Sequence, residues 1–102
     1  MRLIRNKHME KMEVGDSCVI KKLNEAEFIL HAKQEINQLF AEAVTAKSHE
    51  KFADILEIIN CVCETLGMDW YECSKIKSAK RWDSGVYKGY LAKKISIFDQ
   101  EE

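Results

Sequence analysis

No proline occurs anywhere in the chain, and its four glycines stand at positions 15, 67, 85 and 89. Proline interrupts a helix by removing a donor and clashing with the preceding turn, and glycine does so through its backbone freedom. Between Asp16 and Leu66 the chain therefore meets no forced break. At 102 residues, this composition predicts one domain, spanning 1–102, built from a few long helices.

Start and stop signals divide that stretch. Asn24 with Glu27 reads as a capping box, and Leu23 can staple onto Phe28. From there Phe28, Ile29, Ala32, Ile36, Leu39, Phe40 and Ala43 recur at three- and four-residue intervals, predicting a helix to about Ala46. Ser48 is the next N-cap candidate, opening a helix to Leu66 with Gly67 at C′. Its stretch FADILEIINCVC is apolar around most of its circumference, which predicts cover on two sides. Asp69 with Glu72 opens a further helix from Trp70 to about Arg81, before a turn at Asp83-Ser84-Gly85. Residues 2–13 read as a short helix with Leu3, Ile4, Met9 and Met12 on one side. Cys18–Leu23 and Tyr90–Phe98 read as two strands that pair with one another. The expected class is mainly α, a four-helix bundle with a small two-stranded β appendage.

Charge narrows the partners. Sixteen Lys+Arg against 17 Asp+Glu leave a formal net charge of −1, which supplies no field for DNA, RNA or an anionic membrane. The longest mostly apolar stretch is cut by Asp54, Glu57, Asn60 and Glu64, too polar to span a bilayer. The opening MRLIRNKHMEKME lacks the apolar run of a secretion signal, and Cys61 and Cys63 sit inside an apolar helical pattern. Both point to a cytoplasmic protein with reduced thiols. His8, His31 and His49 are too scattered for a zinc site, and His31, one turn before Glu35, reads as a hydrogen-bond partner of that carboxylate. Trp70, Tyr71 and Trp82 read as packing residues rather than stacking platforms.

Acids inside otherwise apolar patterns are the unusual feature, because ionised carboxylates are rarely buried without a partner. Asp54 and Glu57 interrupt the most apolar helix. His31, Glu35, Gln38 and Glu42 form a polar stripe on the preceding one. If the two helices are antiparallel neighbours, Glu35 and Asp54 can face one another, an arrangement that holds divalent metal in helical bundles. Spacing alone favours a plainer outcome, a solvated face in which Asp54 pairs with Lys51.

Ordered motifs add a resemblance. RLIRNKHMEKME resembles the K-L-V-R-D-K-I-P-E-I-I opening of a subgroup of MazG-like all-α nucleoside triphosphate pyrophosphohydrolases, relatives of the phosphoribosyl-ATP pyrophosphohydrolases. VIKKLNEAEF is similar to their short strand and acidic cap, and KQEINQLFAEA to the segment carrying E-E-x-x-E. EKFADILEIINCVCETLGMDWYECSKIK resembles E-L-A-D-x-L-E-V with its Gly turn, and KRWDSGVYKGYLAKKI the K-R-G-G-F-x-x-G-y-L ending. The resemblance runs in order along nearly the whole chain. It implies a MazG-like bundle completed by dimerisation, as a homodimer or dimer of dimers, a nucleotide ligand, and Mg²⁺ as cofactor of an active member. There Mg²⁺ bridges the triphosphate and helps water release pyrophosphate and a nucleoside monophosphate.

Carried over by position, the ligand set is depleted. Gln34-Glu35-Ile36-Asn37-Gln38 stands for E-E-x-x-E, and Lys51-Phe52-Ala53-Asp54 for E-x-x-D. Glu35 and Asp54 survive as carboxylates and, with Glu57 as a further ligand or water-orienting group, form the implied catalytic set. Gln38 remains a weak oxygen ligand, and Lys51 stands where a carboxylate is expected. Glu to Gln adds +1 and Glu to Lys adds +2, taking a nominal −4 to −1. Lys51 is thus expected to substitute for the metal, its ammonium beside Glu35 and Asp54. Arg5, Lys7, Lys77 and Arg81 fall at or near basic positions that can approach a triphosphate, and each also reads as a solvated surface cation. The resulting expectation is a catalytically impaired homologue that binds a nucleotide or a partner. The alternative is an active house-cleaning pyrophosphatase with an altered metal site.

Overall fold

In a computed structural model of the chain, residues 1–7 and 20–94 are described, and three helices account for most of them. They are α1 (Glu25–Ala46), α2 (His49–Thr65) and α3 (Trp70–Ser84). The chain divides into two compact units, Met1–Trp70 and Tyr71–Glu102.

Local chemistry sets the ends of α1 and α2. The Asn24 side chain accepts from the Glu27 amide at 2.8 Å while Glu27 accepts from the Asn24 amide at 3.2 Å, the reciprocal box expected from the sequence. Ser48 caps α2 by accepting from the Lys51 amide at 3.2 Å. At the far end of α2, Gly67 (φ 70°) lets its own amide donate to Glu64 O and that of Met68 to Cys63 O. That pair of bonds is a Schellman closure, which requires the left-handed conformation glycine adopts without strain.

Only Lys47 and Ser48 separate α1 from α2, so the helices form a tight hairpin and pack directly on one another. Lys47 makes the reversal at φ 51°, a conformation that a non-glycine residue holds at some cost. Across the seam, the Phe40 and Phe52 rings meet edge to face at 6.1 Å and 86°. The dry part of the interface is small: Ala32, Leu39 and Ala43 from α1 and Ile55 from α2. Leu30, Phe40, Val44, Phe52 and Leu56 remain exposed. The cover expected on two sides of α2 is therefore not supplied by the described residues.

In the second unit α3 runs three residues beyond the expected end at Arg81, to Ser84. It stops where Gly85 (φ 85°) donates to Arg81 O at 3.1 Å. Trp82, read as a packing residue, is 91% exposed.

Three of the four expected helices lie within the described residues; of the first, expected over residues 2–13, Asn6 and Lys7 are helical and residues 8–13 lie outside the described residues. No strand forms among the described residues, and neither 20–23 nor 90–94 carries one. Tyr90 is at φ 59° and Gly89 at φ 91°, dihedrals that turn the backbone where the second strand was expected to begin. Cys18, Val19 and residues 95–98 of the two expected strands lie outside the described residues.

Candidate functional site

The α-helical stripe that buries Ala32, Leu39 and Ala43 also includes Glu35, which is 7% exposed. Glu35 thus occupies a core position rather than the solvated stripe it shares in sequence with Gln38 and Glu42. A carboxylate there requires partners. It receives them from residues far away in sequence: Arg2 Nε donates to both carboxylate oxygens, at 2.8 and 3.0 Å, and the Leu3 amide adds a third bond at 3.3 Å. His31, expected to fill this role, does not. Its buried Nδ1 has no hydrogen-bond partner among the described residues.

Arg5 makes the matching contact to α2, with Nη2 2.6 Å from Asp54 Oδ1. The bond to Asp54 raises the Arg5 pKa above its already high value, with the fields of Asp54 and Glu57 adding to it. Arg2 is raised further still, first by its hydrogen bond to Glu35. Both guanidinium groups are therefore permanent charges, and residues 1–7 lie against the hairpin as a cationic segment.

Lys51 has a different partner from the one expected. Its Nζ lies 3.0 Å from Glu42 Oε2, and its ion pair is with Glu42 rather than with Glu35 or Asp54. The plainer sequence reading, Asp54 paired with Lys51, is corrected as well, because Asp54 is held by Arg5. Gln38 turns to the same carboxylate as Lys51, its Nε2 3.0 Å from Glu42 Oε1, while Arg2 Nη1 reaches that oxygen at 3.4 Å. Gln38 thus acts as a donor to Glu42 through its amide nitrogen. Three donors converge on Glu42, and its carboxyl is held down at about 2, by Gln38 first and Lys51 next. The geometric reason is the hairpin register: Lys51 begins α2 beside the end of α1, where Glu42 stands, whereas Glu35 is two turns further down.

Glu35, Asp54 and Glu57 all line one open cleft of about 820 Å³. Arg5, Asn6 and Lys7 line it beside them, with Leu3, Phe28, Leu39 and Ile58 among the apolar contributors. Glu57 accepts from Cys61 Sγ at 3.4 Å. Burial, and then this carboxylate, push the Cys61 thiol up, so it is a poor nucleophile. Cys61 and Cys73 are free thiols. Lys77 and Arg81 lie exposed on α3 in the second unit, where each keeps its surface-cation character.

The donor set does not fit a divalent ion in this arrangement. A hard cation needs several free oxygen ligands. Here Glu35 and Asp54 are engaged by guanidinium groups, Gln38 presents a donor, and no group of three His, Cys, Asp or Glu side chains among the described residues could hold a metal. The residue that sequence reasoning missed is Arg2. Its only signal was the Arg2/Arg5 spacing in the opening segment, which places two cations one helical turn apart without naming their partners.

Comparison with protein-family models, with curated proteins and with solved structures returns no match. The resemblance to the MazG-like pyrophosphohydrolases rests on the motifs quoted above. Among the described residues, no helix is long and apolar enough to cross a membrane.

Proposed function

We propose that this chain is a MazG-like homologue that has lost an effective metal site and binds a nucleotide or a partner rather than turning one over. The observation that carries this reading is the neutralisation of both surviving carboxylates from within the chain, Glu35 by Arg2 and Asp54 by Arg5. A guanidinium supplies the charge compensation a metal would bring. It cannot polarise a phosphoryl oxygen as a Lewis acid or activate a water. The cleft beside it offers Arg5 and Lys7 to phosphate oxygens, and Phe28, Leu39 and Ile58 to an apolar or aromatic group.

The finer architecture belongs to the same proposal. A second copy of the chain, in a homodimer or dimer of dimers, would cover Leu30, Phe40, Val44, Phe52 and Leu56 and complete a four-helix bundle. Leu30 and Val44 stand roughly opposite the buried stripe of α1, so that helix offers apolar surface on two sides. A cytoplasmic location fits the free thiols of Cys61 and Cys73.

The test is pyrophosphate release from a panel of canonical and modified nucleoside triphosphates, with Mg²⁺ and with Mn²⁺, alongside calorimetric binding of the same panel. Binding without turnover is the expected result. One observation favours the alternative of an active pyrophosphatase: Glu35, Asp54 and Glu57 line a single cleft. Metal-dependent turnover that disappears in Asp54→Ala would establish that alternative and refute ours.

A further inference from the structure

We propose that residues 71–94, most of α3 and the segment after it, form a docking strip for single-stranded nucleic acid. This goes beyond the reading above, since it concerns the second unit and not the cleft.

The net charge of −1 averages two unlike parts. Residues 1–70 carry nine Lys+Arg against 12 Asp+Glu, whereas residues 71–94 carry seven against two. At +5 over 24 residues, the strip supplies locally the field for a polyanion that the chain as a whole lacks. The acids Asp99, Glu101 and Glu102 lie outside the described residues.

Aromatic side chains stand among these cations, and the structure leaves them in water. Trp82 is 91% exposed, Tyr87 99% and Tyr90 98%, and α3 buries none of its residues. Tyr71, Lys75, Ser78 and Trp82 recur at i, i+4, i+7 and i+11, forming one stripe along α3. Lys75 Nζ lies 5.6 Å from the centre of the Tyr71 ring, and its 3.5 Å contact to Glu72 is an exposed pair that holds weakly. Arg81 flanks the stripe, three positions after Ser78. The two acids of α3, Glu72 and Asp83, each follow an aromatic by one residue and so stand about 100° round the helix from it. Tyr71 and Trp82 are ~16 Å apart along the axis, the span of a few nucleotides.

Unpaired bases stack on exposed aromatic faces whatever their sequence, while Lys and Arg between those faces meet the phosphates. A duplex keeps its bases inside and would use the cations alone. An interfacial membrane helix needs a broad apolar face, which Ser74, Lys75 and Ser78 interrupt here. An acidic protein segment answers the cations and brings no stacking partner for Trp82.

Fluorescence anisotropy of labelled oligo(dT) and oligo(U), each of about 20 nucleotides, titrated with the full chain tests this, and the two arms separate DNA from RNA. Binding of at least one is expected with Kd on the order of 10 μM in low salt. Trp82→Ala should weaken it about tenfold, and Trp82→Phe, which keeps a stacking face, by about twofold at most. Lys75→Gln/Arg81→Gln should lower the slope of log affinity against log salt by about 1.4, whereas Lys22→Gln/Lys33→Gln, which removes the same charge from the first unit, should leave it unchanged. If Trp82→Ala loses helicity by circular dichroism, Trp82→Leu carries the comparison, with the same loss expected. The strip is refuted if neither oligonucleotide binds at ten times that protein concentration, whether or not phosphatidylserine vesicles or polyglutamate do. It is equally refuted by a duplex of the same length binding as tightly, or by variants without the Trp82 ring binding like wild type.

Discussion

The Arg2–Glu35 contact is the most informative place to perturb this fold, because it places a buried charge under the control of a residue 33 positions away. Arg2→Gln leaves the Glu35 carboxylate, 7% exposed, with the Leu3 amide as its only donor among the described residues. Hydrogen bonds to charged groups contribute roughly 1.5–3 kcal/mol net, and a buried charge that loses its partner costs more than an exposed one. The 53% exposure of Arg2 lets water replace part of what is lost and puts the effect at the low end of that range. The expected destabilisation is about 1.5 kcal/mol, a fall in Tm of roughly 6–12 °C for a chain of this size. Arg2→Gln also removes the 3.4 Å contact to Glu42, so a double-mutant cycle with Glu35→Gln is needed to isolate the pair. Urea unfolding followed at 222 nm should give a coupling energy of about 1 kcal/mol. Glu72 and Lys75 on α3, both 62% exposed and three residues apart, provide the internal comparison, with a coupling of a few tenths of a kcal/mol. If the two couplings are equal, Glu35 is not relying on Arg2, and the account of the seam fails.

Two further outcomes follow from the same geometry. Folding favours ionised Glu42, whose carboxyl is depressed from its ordinary 4.5 to about 2, so its stabilising contribution is complete above the ordinary value and is lost as pH falls toward the depressed one. The stability advantage of wild type over Glu42→Gln should therefore shrink between about pH 5 and pH 3 in urea titrations, and an advantage that does not change over that window would contradict the convergence of Gln38, Lys51 and Arg2 on this group. The left-handed positions that close the two hairpin helices should respond in opposite directions. Gly67→Ala, at φ 70° with nothing near enough to clash, should cost about 1 kcal/mol from the backbone alone, while Lys47→Gly, at φ 51°, should gain up to about 0.5 kcal/mol once the extra freedom of unfolded glycine is subtracted. Thermal melts of both variants moving the same way would show that their dihedrals are not what limits them.

Much of the hairpin is legible residue by residue. The Asn24–Glu27 box, the Ser48 cap and the Gly67 closure are hydrogen bonds between groups three to five positions apart, so the sequence at each end is enough to place it. The interval pattern of Ala32, Leu39 and Ala43 likewise names the buried side of α1. Phe40 shows the limit of that pattern. It continues the apolar spacing but lies exposed beside Phe52, because a hairpin of two helices covers only one side of each. The acids along the cleft were legible in the sequence, but Arg2 and the pairing of each acid were not. That Glu35, Asp54 and Glu57 share a wall follows from an antiparallel seam, which the two-residue connection enforces.

By itself, then, the amino-acid order determined the helices, their caps and the presence of unusual acids on the seam, because those depend on short-range geometry and helical period. Which cation answers each acid was decided by the tertiary structure. Lys51, close in sequence to Asp54, goes to Glu42, while Arg2 and Arg5 arrive from the far end of the unit to take Glu35 and Asp54. Charge attracts without regard to sequence position. Only the hairpin register and the path of residues 1–7 determine which partners come within reach.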